Sequence, residues 1–163
     1  MGSTMMARSK SSASDPFVVA LRLLTRRDRS EAELREKLEQ FGFSTSNIDQ
    51  TIVRCREYNY LDDQRYALER ARALMRSGRG VGQKILLDLR RRGIAAETAE
   101  QALATATSEL ETDQLLRDLL DRRFPGFNYR QAAERERRRV VGFFQRRGFP
   151  LELIFRVIKE EEC

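Results

Sequence analysis

Apolar residues in this chain recur every three or four positions, and no segment sustains an alternating, period-two pattern. Phe17, Ala20, Leu21 and Leu24 stand at i, i+3, i+4 and i+7, the spacing of one face of an α-helix. Asp15 is placed to cap that helix, and Pro16 falls at its first position, where the missing N–H costs nothing. Asp62 precedes a second such face carrying Ala67, Ala71 and Leu74, and a third is the stripe Leu115, Leu116, Leu119 and Leu120, which ends at "FPGF". Ser30 with Glu33 has the form of a capping box, and Ser46 with Asp49 is a weaker version of it.

One short phrase appears three times: "LEQFGF" at 38–43, "LRRRGI" at 89–94 and "FQRRGF" at 144–149. With Gly42, Gly93 and Gly148 in register, Leu34, Ile85 and Val140 stand eight residues before, and Leu38, Leu89 and Phe144 four before. Phe43, Ile94 and Phe149 come one after; Ile48, Ala99 and Ile154 come six after, and Ile52, Leu103 and Ile158 ten after. Each register describes a helix, a glycine stop, an apolar anchor and a second helix. A glycine there takes the left-handed conformation that strains a residue with a Cβ. What is shared is the helix terminator, and what varies is the surface charge.

The three glycines stand 51 and 55 residues apart, too far for two helices alone, and the capped faces above supply a third helix to each unit. The pattern predicts an all-α protein of three tandem three-helix repeats, at 15–59, 60–107 and 108–163, after a disordered N-terminal extension, 1–14. Repeats of this kind bury faces against their neighbours, which predicts an elongated, curved array.

Composition narrows the chemistry. Of 31 basic residues 27 are arginine, and the net charge is +6. Arginine makes planar, two-pronged contacts with phosphate and carboxylate, so the bias suits an anionic partner; a GC-rich genome produces the same bias without function. No apolar run reaches the roughly 18 residues that span a bilayer, and the first residues lack the apolar stretch of a signal peptide. Cys55 and Cys163 lie far apart in the chain, which argues against a disulfide and fits a reducing cytoplasm.

Catalytic and metal chemistry find little support. Asp62 and Asp63 are adjacent, but neighbours on a helix point about 100° apart, and the chain contains no histidine. Asp62 therefore reads as an N-cap. "SGRGVGQK" (77–84) lacks the order of a phosphate loop and follows a helix where a strand is needed. It reads as a flexible joint, with a phosphate held by Arg79 and Lys84 at a helix N-terminus as the alternative. Tyr58, Tyr60 and Tyr66 are expected to pack rather than to stack bases. Arg135, Arg139 and Arg146 fall in one sector of a helix, away from Ala133, Val140 and Phe144. They make either a solvated face or a contact surface for protein carboxylates or nucleic-acid phosphates, and Arg90 with Arg91 is a second candidate.

The segments "LTRRDRSEAELREKLEQFGF" (24–43) and "YLDDQRYALERARALMRSGRGVGQKILLDLRRRGI" (60–94) resemble the RecX family of bacterial regulators of RecA recombinase. The likeness rests on Ser30, Glu33, Leu34 and Leu38, on Leu61-Asp62-Asp63 with Arg65-Tyr66-Ala67, and on Gly82, Leu89 and Gly93-Ile94. "RRGFPLELIFRVI" (146–158) looks like the family's last repeat. The resemblance runs from about 17 to 159 and is looser from 107 to 140; Tyr66 stands where Phe is common. It implies three three-helix repeats and a non-catalytic role, with no metal or nucleotide cofactor implied; the protein is expected to be a cytoplasmic monomer. The resemblance further implies binding to the RecA–DNA filament, with inhibition of RecA ATPase and strand exchange. A basic helical protein that competes with RecA for single-stranded DNA is the alternative.

Overall fold

Each of the three recurrent phrases closes a helix with the same pair of hydrogen bonds. The N–H of Gly42, Gly93 and Gly148 donates to the carbonyl of Glu39, Arg90 and Gln145 at 2.8–3.0 Å, and the N–H of Phe43, Ile94 and Phe149 reaches back to Leu38, Leu89 and Phe144 at 3.1–3.3 Å. The glycines have φ of 86°, 77° and 94°. This is the Schellman stop, which satisfies carbonyls that a helix end leaves without partners. Ile94 and Phe149 are buried beside it, and Phe43 is partly buried against the core.

The computed structural model describes residues 14–160 and contains nine α-helices and no strand among them. They are α1 (Pro16–Arg26), α2 (Glu31–Gln40), α3 (Thr45–Glu57), α4 (Asp63–Arg76), α5 (Gln83–Arg91), α6 (Ala96–Glu109), α7 (Thr112–Arg123), α8 (Glu134–Arg146) and α9 (Leu151–Glu160). The extension expected at 1–14 falls outside the described residues except for Ser14, as does Cys163. Cys55 is a buried free thiol. Asp15 caps α1 by accepting from the N–H of Phe17, with Pro16 in the first turn, and Ser30 and Glu33 form the full capping box of α2. Asp62 immediately precedes α4. The third helix starts earlier than the Ser46–Asp49 reading placed it: Ser44 is the cap, accepting from Asn47 at 3.2 Å. The Schellman turn ends at Phe43, so Ser44 is the first residue free to adopt the extended cap conformation.

The chain divides into two compact units, one up to Asp62 and the other from Asp63. In the first, α1, α2 and α3 pack pairwise around Ala20, Leu34, Leu38, Ile48, Ile52 and Cys55. In the second, α4, α5 and α6 form one set, α7 and α8 pack on α9, and both sets share one apolar core, from Ala67 to Ile158.

That core is closed at the segment read as a flexible joint, and the joint is packed. Val81 is buried and its N–H donates to the carbonyl of Arg147 at 2.8 Å. A side chain at Gly78 would meet Leu119 of α7 at 2.7 Å, and one at Gly148 would meet the Val81 carbonyl oxygen at 2.3 Å. Gly148 thus stops α8 and also admits the backbone of the α4–α5 segment. A Cβ at Gly42 would meet nothing within 4 Å. Gly42→Ala should therefore lose only the left-handed preference, about 1–2 kcal/mol. Gly148→Ala should lose clearly more, because backbone must move as well. Denaturant midpoints of the two variants give the comparison, and equal losses would show that the close approach carries no stability.

Candidate functional site

Many of the arginines are spent on joining helices. In the second unit Arg70 of α4 grips Asp88 of α5 with both prongs, at 2.9 and 3.0 Å. Asp88 also accepts from Arg92 at 2.9 Å, and Arg92 reaches the Tyr66 hydroxyl at 3.1 Å. These hydrogen bonds, Arg70's first, hold the Asp88 carboxyl below the usual carboxylate range against the opposing effect of burial. Arg72 ties α4 to Glu109 of α6 at 2.7 and 2.6 Å. Arg117 and Arg156 join α7 to α9 through Glu160 and Asp113. In the first unit Arg35 meets Glu31 and Asp49, and Arg56 meets Glu31. The three arginines of "LRRRGI" are therefore unlike one another: Arg90 and Arg91 are exposed as expected, while Arg92 is structural.

Arg79 and Lys84 are exposed at the packed joint. The backbone there is largely engaged: besides Val81, the N–H groups of Lys84 and Ile85 bond to Val81 and Gly82. The Lys84 stem lies close to Gly80 and Gly148, so only the side-chain ends face outward.

The α8 arginines make a more definite arrangement. Glu134 and Glu136 occupy its first turn and Arg146 its last, each sign where the helix dipole favours it. Val140 and Phe144 are buried, whereas Ala133 is the exposed N-cap residue rather than part of the apolar face. Arg135, Arg139 and Arg146 are all exposed. Arg135 and Arg139 line one depression with Ala133 and Glu136. Arg139 and Arg146 line a second, of ≈ 180 Å³, with Arg123, Phe124 and Phe143. No carboxylate lines this second recess. Phe124 and Phe143 meet edge to face at 5.1 Å; Arg147 lies over the Phe143 ring at 3.4 Å and Arg139 over the Phe124 ring at 5.8 Å. Burial, and then the charges of Arg123 and Arg146, hold Arg147 below the usual guanidinium range. Sequence reading had not placed Arg123, Phe124, Phe143 and Arg147 in this site. For Arg123 and Phe124 the signal was the cationic flank of "DRRFPGF", which the bend after α7 brings to α8; Phe143 and Arg147 stand on α8 and at its stop.

The tyrosines separate too. Tyr66 is half-buried in the Asp88 network, but Tyr58 and Tyr60 are 58% and 50% exposed, with rings 5.9 Å apart. Asn59 between them, at φ 57°, ends α3 with the same stop that glycine supplies elsewhere, and both rings remain outside. Among the described residues no group of His, Cys, Asp and Glu is arranged to hold a metal ion, and no helix is long and apolar enough to cross a membrane.

Comparison with known proteins places three family models along the chain: RecX first three-helix domain at residues 17–55, second at 62–103 and third at 111–158. The chain is 44% identical over 147 residues to a regulatory protein RecX of Syntrophotalea carbinolica, covering 90% of this chain and 96% of that one. It is 40% identical over 141 residues to the corresponding protein of Trichlorobacter lovleyi, covering 86% and 92%. The crystal structure of RecX from Lactobacillus salivarius has the same fold, with a TM-score of 0.70 at 24% identity over 89% of this chain and 93% of that one.

The Asp88 network makes a prediction about acid stability. A carboxyl held below its ordinary pKa in the folded state stabilises at pH above the unfolded value, about 4, and that contribution is lost as pH falls through the folded value. Asp88→Asn should cost about 1–2 kcal/mol at pH 7, the lower part of the range for charged hydrogen bonds because the group is partly solvated. The difference in thermal stability from the parent protein should narrow as pH is lowered from 5 toward about 3. A difference that stays constant with pH would remove Asp88 ionisation from the account.

Proposed function

The chain belongs to the RecX family, and on that ground we propose that it is a non-catalytic regulator of RecA, acting as a cytoplasmic monomer on the RecA–DNA filament and inhibiting RecA ATPase and strand exchange. The observation that carries this reading is the match to all three RecX domains, in order, from residue 17 to residue 158. Relatives covering nearly their whole length carry the name of regulatory proteins, and the filament itself comes from the family resemblance of the sequence. The physical means is a helical scaffold that presents cationic side chains at several separated places. Arg90 and Arg91 lie at the end of α5, Arg79 and Lys84 at the joint, and Arg135, Arg139 and Arg146 along α8. Contacts spread over more than one protomer raise avidity without any single tight site. Charge-paired contacts steer association and weaken with salt.

The test is DNA-dependent ATP hydrolysis by RecA with this protein added to preformed filaments. Inhibition is expected at amounts well below one per RecA while the DNA stays bound. Arg135→Glu, Arg139→Glu and Arg146→Glu together should weaken it and reduce its dependence on salt. Inhibition that appears only as DNA is stripped from RecA would favour competition for single strands instead, and unchanged inhibition by the triple variant across an ionic-strength series would remove these residues from the interface.

A further inference from the structure

Helix α3 ends differently from α2, α5 and α8. At the three glycine stops the next residue turns inward, as Phe43, Ile94 and Phe149 do. Asn59 makes the stop after α3, and the N–H groups of Tyr60 and Leu61 both donate to the Cys55 carbonyl, at 2.8 and 3.2 Å. Leu61 is buried and takes the anchor's place, so Tyr60 is left outside beside Tyr58. Phe17, at the start of α1, extends the pair into a row: its centroid lies 6.1 Å from that of Tyr58, which lies 5.9 Å from that of Tyr60. Three adjoining rings make a contiguous patch, unlike apolar side chains exposed singly. The row already holds one cation, the Arg54 guanidinium at 3.8 Å from the Phe17 centroid. Two carboxylates flank it. Asp15 accepts from the Phe17 N–H at 2.9 Å, and Glu57 stands one turn after Arg54 on the same side of α3. Both are exposed, and neither makes an ion pair among the described residues.

We infer that this row is the docking site of the chain's own segment 5–10, "MMARSK". Its chemistry matches the patch on both counts. Methionine thioethers make favourable contacts with aromatic rings, and Arg8 and Lys10 suit both tyrosine faces and the two flanking carboxylates. Reach is sufficient. The described chain begins at Ser14, three residues before Phe17. At about 3.5 Å per residue, the four residues from Lys10 to Ser14 span up to about 14 Å and the eight from Met6 up to about 28 Å, enough to pass along rings that stand about 6 Å apart. A short tether also gives the segment an effective concentration in the millimolar range, so contacts too weak to hold a free peptide are formed within one chain. A nucleic-acid strand is the other ligand that exposed rings take, and Asp15 and Glu57 oppose its phosphates. The segment is thus a reversible cover, which must leave before the first unit offers its rings to any other protein. This inference does not rest on the RecA reading.

Nuclear magnetic resonance of the full chain, labelled with carbon-13 at its methionine methyls, tests this. The Met5 and Met6 methyl protons should stand upfield, displaced by ring currents, and should move downfield in Tyr58→Ser with Tyr60→Ser. Arg8→Glu with Lys10→Glu, which lies before α1 and leaves the rings alone, should move the same signals downfield. At an effective concentration of about 1 mM a contact with a dissociation constant near that value is half formed, so removal of both tyrosines should quicken trypsin cleavage after Arg8 and Lys10 about twofold. An unchanged thermal unfolding curve checks that each variant remains folded. The inference fails if the Met5 and Met6 signals coincide in the parent and the tyrosine variant, or if the charge reversal leaves them displaced. It fails if the displacement fades on dilution, because the row would then take the segment of a second copy. It fails also if loss of the tyrosines weakens binding of oligothymidylate and leaves the methionine signals in place, for the rings would then serve a strand.

Discussion

The left-handed stop at the end of a helix is the constraint on which the rest of this structure depends. A helix that ends in water can leave its last carbonyls to solvent, but one that turns at once into the next helix must satisfy them locally. The two bonds made by Gly42, Gly93 and Gly148 do so and leave the following residue aimed back at the helix just finished. At Gly148 the same residue accepts a further demand, since the Val81 carbonyl passes where a side chain would stand. There a local rule of helix termination becomes a tertiary rule, and the second and third helical sets share one core.

Why so much of the fold is legible in the sequence follows from this. The stop, the apolar anchor and the positions four and eight residues before it all lie within one or two helical turns of each other, so their spacing survives in the chain. Leu34, Ile85, Val140, Leu38, Leu89 and Phe144 are fully buried, as that register requires. Errors arise where two local choices are nearly equal or where packing decides. Ser44 and Ser46 both suit an N-cap, and the reach of the Schellman turn selects between them. The glycine-rich stretch at 77–82 looks loose in isolation; it is tight because Leu119 and the α8–α9 turn approach it.

The arginines show the same limit more sharply. Arg92 stands four residues after Asp88 and pairs with it, whereas Arg90 and Arg91 face solvent, and the local spacing alone does not show that the pair joins a wider network. That network is completed by Arg70, 18 residues before Asp88, and by Tyr66, 26 residues before Arg92. A helical wheel could group Arg135, Arg139 and Arg146. It could not show that Glu136 shares one depression with the first two, or that Arg123 joins the last two in another. The abundance of arginine is therefore two populations. One fastens helices through carboxylates, and the other, Arg90, Arg91, Arg123, Arg135, Arg139 and Arg146 among it, makes no ion pair among the described residues.

At the end of α7 some of the second population sit over a packed floor. Phe124, Phe143, Phe144 and Phe149 run edge to face and tilted from the end of α7 through α8 to its stop, at centroid distances of 5.1 to 6.4 Å, and such pairs resist sliding because each ring fixes its neighbour's angle. The rings that floor the cationic recess thus belong to the same ladder that ends in the apolar anchor after Gly148. The floor cannot spread without disturbing that stop, so the helix terminator also sets the spacing at which Arg139, Arg146 and Arg147 leave the backbone.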